Sequence, residues 1–204
     1  MSKKKSRQTI RTEQTKSKIV EAAKIVFLEK GFKDATVTLI AKEARTGYGT
    51  VYSHFPSGKD EVLLYIMEEV MYHFYKIAEL VYTPTNKDEA YKFTLKNTTD
   101  FLRLAIEYRE LLAVFHEAIG VSSMIRLKWD DIIERFIVRV SKNVMIVKEK
   151  GLIKNIDYNP RIVAGSLIYP GEKFLWKIAL RSIDESYEAI ARDIAGIYTY
   201  GLFK

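Results

Sequence analysis

The chain contains no cysteine. That excludes disulfides and thiolate metal sites. Its three histidines are His54, His73 and His116, and no two of them have metal-ligand spacing on one helix face. No metal or other cofactor is therefore expected. No apolar run reaches the ~18 residues needed to cross a bilayer, and no apolar stretch follows the basic start as it would in a secretory signal. The simplest expectation is a soluble, cytoplasmic chain without a membrane partner. Repeats, low-complexity tracts and alternating strand patterns are missing too. Enzyme motifs are equally scarce, with neither a Ser-His-Asp set nor HExxH. Ser57-Gly58-Lys59-Asp60 resembles the end of a phosphate-binding loop, but Ser53 stands where such a loop needs its first glycine and Asp60 where it needs Ser or Thr. An enzyme is not expected.

What is present is apolar substance and uneven charge. Of 204 residues, 48% are hydrophobic and 12% aromatic, enough for a sizeable core. Residues 1–60 hold 13 Lys and Arg against 6 Asp and Glu, a net of +7, which is the net charge of the whole chain. A basic head on a neutral body suggests that the head meets a polyanion, although a basic solubility tail would give the same count.

Residues 1–12 carry no acid and no apolar period, and read as a flexible basic arm. A helix is expected from about Glu13 to Lys30, with Ile19, Ala23, Val26 and Phe27 on one face and Gly31 as its stop. Thr36 suits the N-cap of a second helix, whose apolar positions are Val37, Ile40, Ala41 and Ala44. Arg45-Thr46-Gly47 makes a turn, with Gly47 free to take positive φ. A third helix covers Tyr48–His54, and Pro56-Ser57-Gly58 interrupts the chain again. Further helices are expected over Lys59–Tyr82, Asp88–Tyr108, Arg109–Gly120 and Ser123–Lys150. Another runs from Pro160 to about Arg181, interrupted or kinked at Pro170, and the last runs from Asp184 to about Leu202. The fold class is all-α.

Two short helices joined by a turn of three or four residues including a glycine fit a helix-turn-helix. Its second helix lies in the major groove with its N-terminal residues at the base edges. Here that helix opens Tyr48-Gly49-Thr50. Gly49 lets the backbone approach DNA closely. Thr50, Ser53 and His54 can hydrogen-bond bases or phosphates, Tyr48 and Tyr52 reach flanking phosphates, and Val51 and Phe55 face inward. Tyr52 could equally serve only to pack between helices, and Lys59 could be an ordinary surface lysine.

These residues carry a resemblance. Ala22-Ala23, Phe27 and Gly31-Phe32, then Ile40-Ala41, Gly49-Thr50-Val51-Tyr52, His54-Phe55, Ser57 and Lys59 resemble the TetR family of transcriptional repressors over Ser17–Leu63. The resemblance implies an N-terminal three-helix helix-turn-helix DNA-binding domain, residues 13–58, and a C-terminal helical ligand-binding and dimerisation bundle, residues 59–204. It implies that Thr36, Thr46, Gly47, Tyr48, Gly49, Thr50, Tyr52, Ser53, His54 and Lys59 contact double-stranded DNA, with Lys59 gripping a phosphate. Lys3, Lys4, Lys5, Arg7 and Arg11 would add backbone contacts. The sequence departs from the family pattern at Ala44-Arg45-Thr46, usually Ala-Gly-Val, at Gly47, usually Ser or Thr, and at the additional Gly58. Either the turn is reshaped or the recognition helix starts one residue late. A headpiece that has lost DNA binding and serves as an interaction module is the competing reading.

For the body, the resemblance implies a small-molecule effector and a homodimer. Candidate effector-binding residues are Phe74, Phe101, Tyr108, Phe115, His116, Trp129, Phe136 and Trp176, with Glu117 and Asn97 as further polar groups, so the effector is expected to be apolar or aromatic. A filled core would use the same aromatics. Ile183, Tyr187, Ile190, Ile194 and Ile197 recur at 4-3-4-3 spacing, a two-helix seam. With Tyr198 beside it, the seam is assigned to the dimer, unless the helix packs only on its own body. A twofold dimer would read a pseudo-palindromic operator. A ligand shifting the helix Lys59–Tyr82 would alter the spacing of the two heads and release the DNA.

Overall fold

The computed structural model describes the chain from Ser2 onward, with side chains from Thr9 onward. The described residues form α1 (Ser2–Asp34), α2 (Val37–Glu43), α3 (Tyr48–His54), α4 (Lys59–Ala78), α5 (Lys87–Glu107), α6 (Arg109–Val121), α7 (Ser123–Glu149), α8 (Pro160–Ala179) and α9 (Tyr187–Leu202). The fold is all-α. Extended pairing among these residues amounts to one isolated antiparallel bridge, Ile153 with Phe203. None of the described helices is long and apolar enough to cross a membrane.

Two compact units emerge, one formed by the chain up to Glu69 with Val114–Lys128, the other by Val70–Ala113 with Trp129–Lys204. In the first, Ile19, Ala23, Phe27, Ile40, Val51, Phe55, Val62, Leu63 and Ile66 are buried, as the 3.6-residue period requires. Helix α1 begins at Ser2 and not near Glu13, because neither Gly nor Pro occurs before Gly31 to stop it. The expected contacts of Lys3, Lys4, Lys5 and Arg7 lie outside the described side chains. Gly31 leaves the helical conformation (φ 74°, ψ 175°), so the stop read there is real although helical turns resume to Asp34.

In the second unit α9 packs against α5 and α8. Asn86 caps α5 by accepting from the Glu89 N–H at 2.9 Å. Helix α8 runs unbroken through Pro170. Ser166 and Pro170 are both exposed, so water can serve the Ser166 carbonyl that the missing proline N–H leaves without a donor. The chain end is tied back by Lys154 N–H to Leu202 O (2.9 Å) and Lys204 N–H to Leu152 O (3.1 Å). Tyr82, Ala90, Val147, Ile153, Leu202 and Phe203 form a buried cluster there.

The seam assigned to α9 needs correction. Ile190 is buried within its own unit, Tyr198 lines an internal cavity, and Ile183 precedes the helix altogether. A 4-3-4-3 stripe requires a partner but does not name it, and α5 and α8 of the same chain supply one. The exposed apolar side chains of α8 and α9 are Ile162 (73% exposed), Tyr169 (58%), Ile197 (78%) and Tyr200 (51%).

Candidate functional site

Helix α2 starts at Thr36, whose Oγ1 accepts from the Leu39 N–H at 3.2 Å. It ends in a turn closed by Thr46 N–H to Ala41 O (2.9 Å) and Arg45 N–H to Lys42 O (3.1 Å), the paired bonds of a Schellman cap. Arg45 occupies the left-handed position, φ 51°. Gly47 does not. It is extended, at φ −76° and ψ 147°, and serves as N-cap of α3. The turn therefore keeps the geometry a glycine would give it, and α3 starts at Tyr48 without delay. This removes the support that the altered turn lent to a headpiece without DNA binding.

The first turn of α3 is open. Tyr48 and Gly49 are exposed and Thr50 is half-buried, while Val51 and Phe55 are buried. Apart from its chain neighbours and its own helix backbone, nothing lies within 4 Å of the place a Cβ would take at Gly49, so its lack of a side chain serves no internal packing. It leaves bare backbone at the surface. The Tyr48 hydroxyl donates to that of Tyr52 at 3.4 Å, with the rings 4.9 Å apart, and the hydrogen bond between them raises the Tyr52 pKa. Ser53 Oγ donates to Thr50 O at 2.8 Å, which leaves its lone pairs as acceptors at the surface. His54 is half-buried at the end of the helix.

The additional Gly58 is structural. Its N–H closes a turn on Phe55 O at 2.8 Å, with Pro56 at the favoured second position. Its φ is +66°, and an added Cβ would lie 3.3 Å from both the Tyr52 ring and Val37. Lys59 is also structural, which overturns its assignment to a phosphate. Its ammonium donates to the carbonyls of Phe32 (2.7 Å), Lys33 (3.1 Å) and Ala35 (2.9 Å) and lies 4.5 Å from the centre of the Phe32 ring. An ammonium has three protons, and all are used. On the other side of that segment, the Glu117 carboxylate accepts from the N–H groups of Phe32 (2.7 Å) and Lys33 (3.2 Å). A Cβ at Gly31 would come within 2.8 Å of the same carboxylate.

The second unit contains a cavity of about 130 Å³. Phe74, Tyr82, Phe93, Phe101, Trp129, Phe136 and Tyr198 line it, and the polar groups in its wall include Asn97, Asn143 and Glu172. Glu172 Oε1 accepts from Trp129 Nε1 at 2.6 Å and Trp176 Nε1 at 3.3 Å, and the two indoles lie 4.6 Å apart. Asn97 Oδ1 and Asn143 Oδ1 have no hydrogen-bond partner among the described residues. Burial pushes the Tyr82 and Tyr198 phenols well above the usual tyrosine range, so both stay neutral.

Residues 19–66 match the sequence profile of the bacterial regulatory proteins of the tetR family. That match is confined to the headpiece, about a quarter of the chain. The HTH-type transcriptional regulator SrpR of Pseudomonas putida is 47% identical over 51 residues, 25% of this chain and 24% of SrpR, so the match spans about a quarter of that relative's length. Over nearly the whole chain the likeness is one of fold. NalD, the secondary repressor of the MexAB-OprM multidrug efflux pump in Pseudomonas aeruginosa, superposes with a TM-score of 0.74 at 19% identity, covering 95% of this chain and 98% of NalD. SmeT, solved in complex with triclosan, gives 0.72 at 17% identity, covering 94% and 92%.

The expected site residues of the chain separate cleanly. Tyr48, Gly49, Thr50, Tyr52, Ser53 and His54 share one helix, with Thr36, Thr46 and Gly47 at the caps and turn around it. Of the expected effector residues, Phe74, Phe101, Trp129 and Phe136 meet at the cavity, and Trp176 stands behind Trp129. Trp176 and three others do not line it. Tyr108 stacks on His73 with centroids 5.4 Å apart, Phe115 is fully buried elsewhere and His116 is exposed. Aromatic content alone cannot tell which face of a helix a ring occupies. Sequence reasoning missed Asn143 and Glu172. The signals were available: Asn143 falls seven residues after Phe136, and Glu172 four before Trp176, so each shares a helix face with an aromatic.

Proposed function

We propose that the chain is a ligand-responsive transcriptional regulator, acting as a repressor. It binds a pseudo-palindromic operator as a homodimer and is released by a small apolar or aromatic effector. The observation that carries the DNA reading is the first turn of α3, where Gly49 is exposed and open space surrounds the place its side chain would take, flanked by two exposed or half-buried tyrosines. That turn is built to be approached closely by a rigid surface. The +7 net charge of residues 1–60 gives the sequence-independent attraction to phosphates.

The effector would occupy the aromatic cavity of the second unit. A twofold dimer would pair the exposed apolar faces of α8 and α9, Ile162, Tyr169 and Ile197, and present two copies of α3 about 34 Å apart or a multiple of that. Helix α4 contributes residues to both units and is the proposed lever between them. Coupling of about 1–3 kcal/mol suffices to lower operator affinity 5- to 150-fold. Fluorescence anisotropy on a randomised duplex pool at two salt concentrations, with sequencing of the bound fraction, tests the reading. A pseudo-palindrome should be enriched. Salt-erased binding with no enriched motif would overturn it.

A further inference from the structure

The cavity wall is not merely apolar, and its polar groups are of one kind. Glu172 is the one carboxylate lining it, and no Lys or Arg lines it. Both indole N–H groups converge on Oε1 of Glu172. The second oxygen, Oε2, is left as an acceptor. The oxygens of Asn97 and Asn143 are further acceptors, without hydrogen-bond partners among the described residues. A buried acceptor without a donor is costly, and each of these is relieved by an N–H brought in by a ligand. The neutral phenols of Tyr82 and Tyr198 contribute no compensating charge.

The rings around these acceptors suit the same guest. Phe74 meets Phe101 edge-on at 5.4 Å, and Phe101 meets Phe136 edge-on at 5.2 Å. Trp129 and Trp176 meet the carboxylate by their N–H edges and are tilted 46° to one another. Aromatic faces attract cations, indole most strongly. An anionic guest would face a carboxylate and π-clouds with no basic group to pair with. The cavity volume of about 130 Å³ is close to that of the ~150 Å³ apolar cavities that take up a benzene ring.

We infer that the effector is an organic cation, an aryl group carrying a protonated amine, with the ring among Phe74, Phe101 and Phe136 and the ammonium against Glu172 Oε2 and the amides of Asn97 and Asn143. This rests on reading the cavity as the effector site.

The chain has two tryptophans, and both stand at Glu172, so intrinsic fluorescence reports directly on occupancy. The test is to titrate the full-length protein with 2-phenylethylammonium, 2-phenylethanol and phenylacetate, which share a ring and a two-carbon arm and differ in the end group. The ammonium should bind roughly tenfold more tightly than the alcohol, and phenylacetate most weakly. Glu172→Gln should bring the ammonium down to the affinity of the alcohol, since glutamine can still accept from the indoles. If the alcohol or phenylacetate binds the wild-type protein as tightly as the ammonium, the cation inference fails and the effector cavity stands. If none of the three gives a saturable change, the cavity reading fails with it. The wild-type comparison decides even if the variant does not fold.

Discussion

At the scale of single residues, two substitutions separate conformation from contact. Arg45 sits at φ 51°, where a Cβ costs about 1–2 kcal/mol, part of which glycine gives back in unfolded-state entropy. Arg45→Gly is therefore expected to stabilise the protein by about 0.5–1 kcal/mol, read as a higher midpoint in urea with unchanged slope. A loss of stability would mean that the arginine side chain holds the turn. Lys59 is the opposite case, a side chain whose position at a helix start suggests phosphate binding and whose protons are all spent on the carbonyls of Phe32, Lys33 and Ala35. Lys59→Met should cost about 1.5–3 kcal/mol of stability. The slope of log affinity against log salt for DNA should stay unchanged. A phosphate contact, if Lys59 made one, would lower that slope by about 0.9 per site.

At the scale of elements, α5 shows how a helix start records its own sequence. Thr85-Asn86-Lys87-Asp88-Glu89 forms a reciprocal cap, with Asn86 accepting from the Glu89 N–H and the Glu89 carboxylate accepting from the Thr85 N–H at 2.8 Å and Oγ1 at 2.9 Å. The Thr85 N–H, above all, holds the Glu89 pKa below the usual glutamate value. A depressed folded-state pKa contributes stability that is complete above the unfolded value and disappears as pH falls through the folded one. Glu89→Gln should thus lower the melting temperature at neutral pH and have no effect once the solution is acid enough to protonate the wild-type carboxylate. A difference that persists in strong acid would show that the charge is irrelevant. Caps, periods and stops of this kind are why the helices were legible: α3 was expected at Tyr48–His54 and is found there. What was not legible depends on a partner element. The stripe on α9 shows apolar spacing whether it faces α5 or a second subunit, and Ile190 turned out to face inward. Glu117, expected among the polar groups of the effector site, instead accepts from the N–H groups of Phe32 and Lys33. The start of α1 lacks any apolar period, and only the absence of a breaker carries the helix back to Ser2.

At the scale of the whole molecule, the charge asymmetry and the proposed dimer make one joint prediction. The net +7 lies within residues 1–60, so nearly all phosphate neutralisation belongs to the headpiece, and a dimer brings two headpieces to one duplex. The salt dependence of binding counts neutralised phosphates at about 0.9 each. Ile162 and Ile197, 73% and 78% exposed, are the side chains that the proposed dimer would cover, and they belong to neither the headpiece nor the cavity lining. Replacing both with aspartate should yield a folded monomer by sedimentation, because a single chain leaves these positions in water. Its DNA-binding slope should fall to about half the wild-type value. Simple loss of affinity would not be enough, since unfolding would cause that too. A halved slope with an intact helical spectrum requires that each duplex now receives one headpiece. If the double variant remains a dimer, the interface lies elsewhere. If it is a monomer with an undiminished slope, the wild-type protein engages DNA one subunit at a time and the palindromic reading fails.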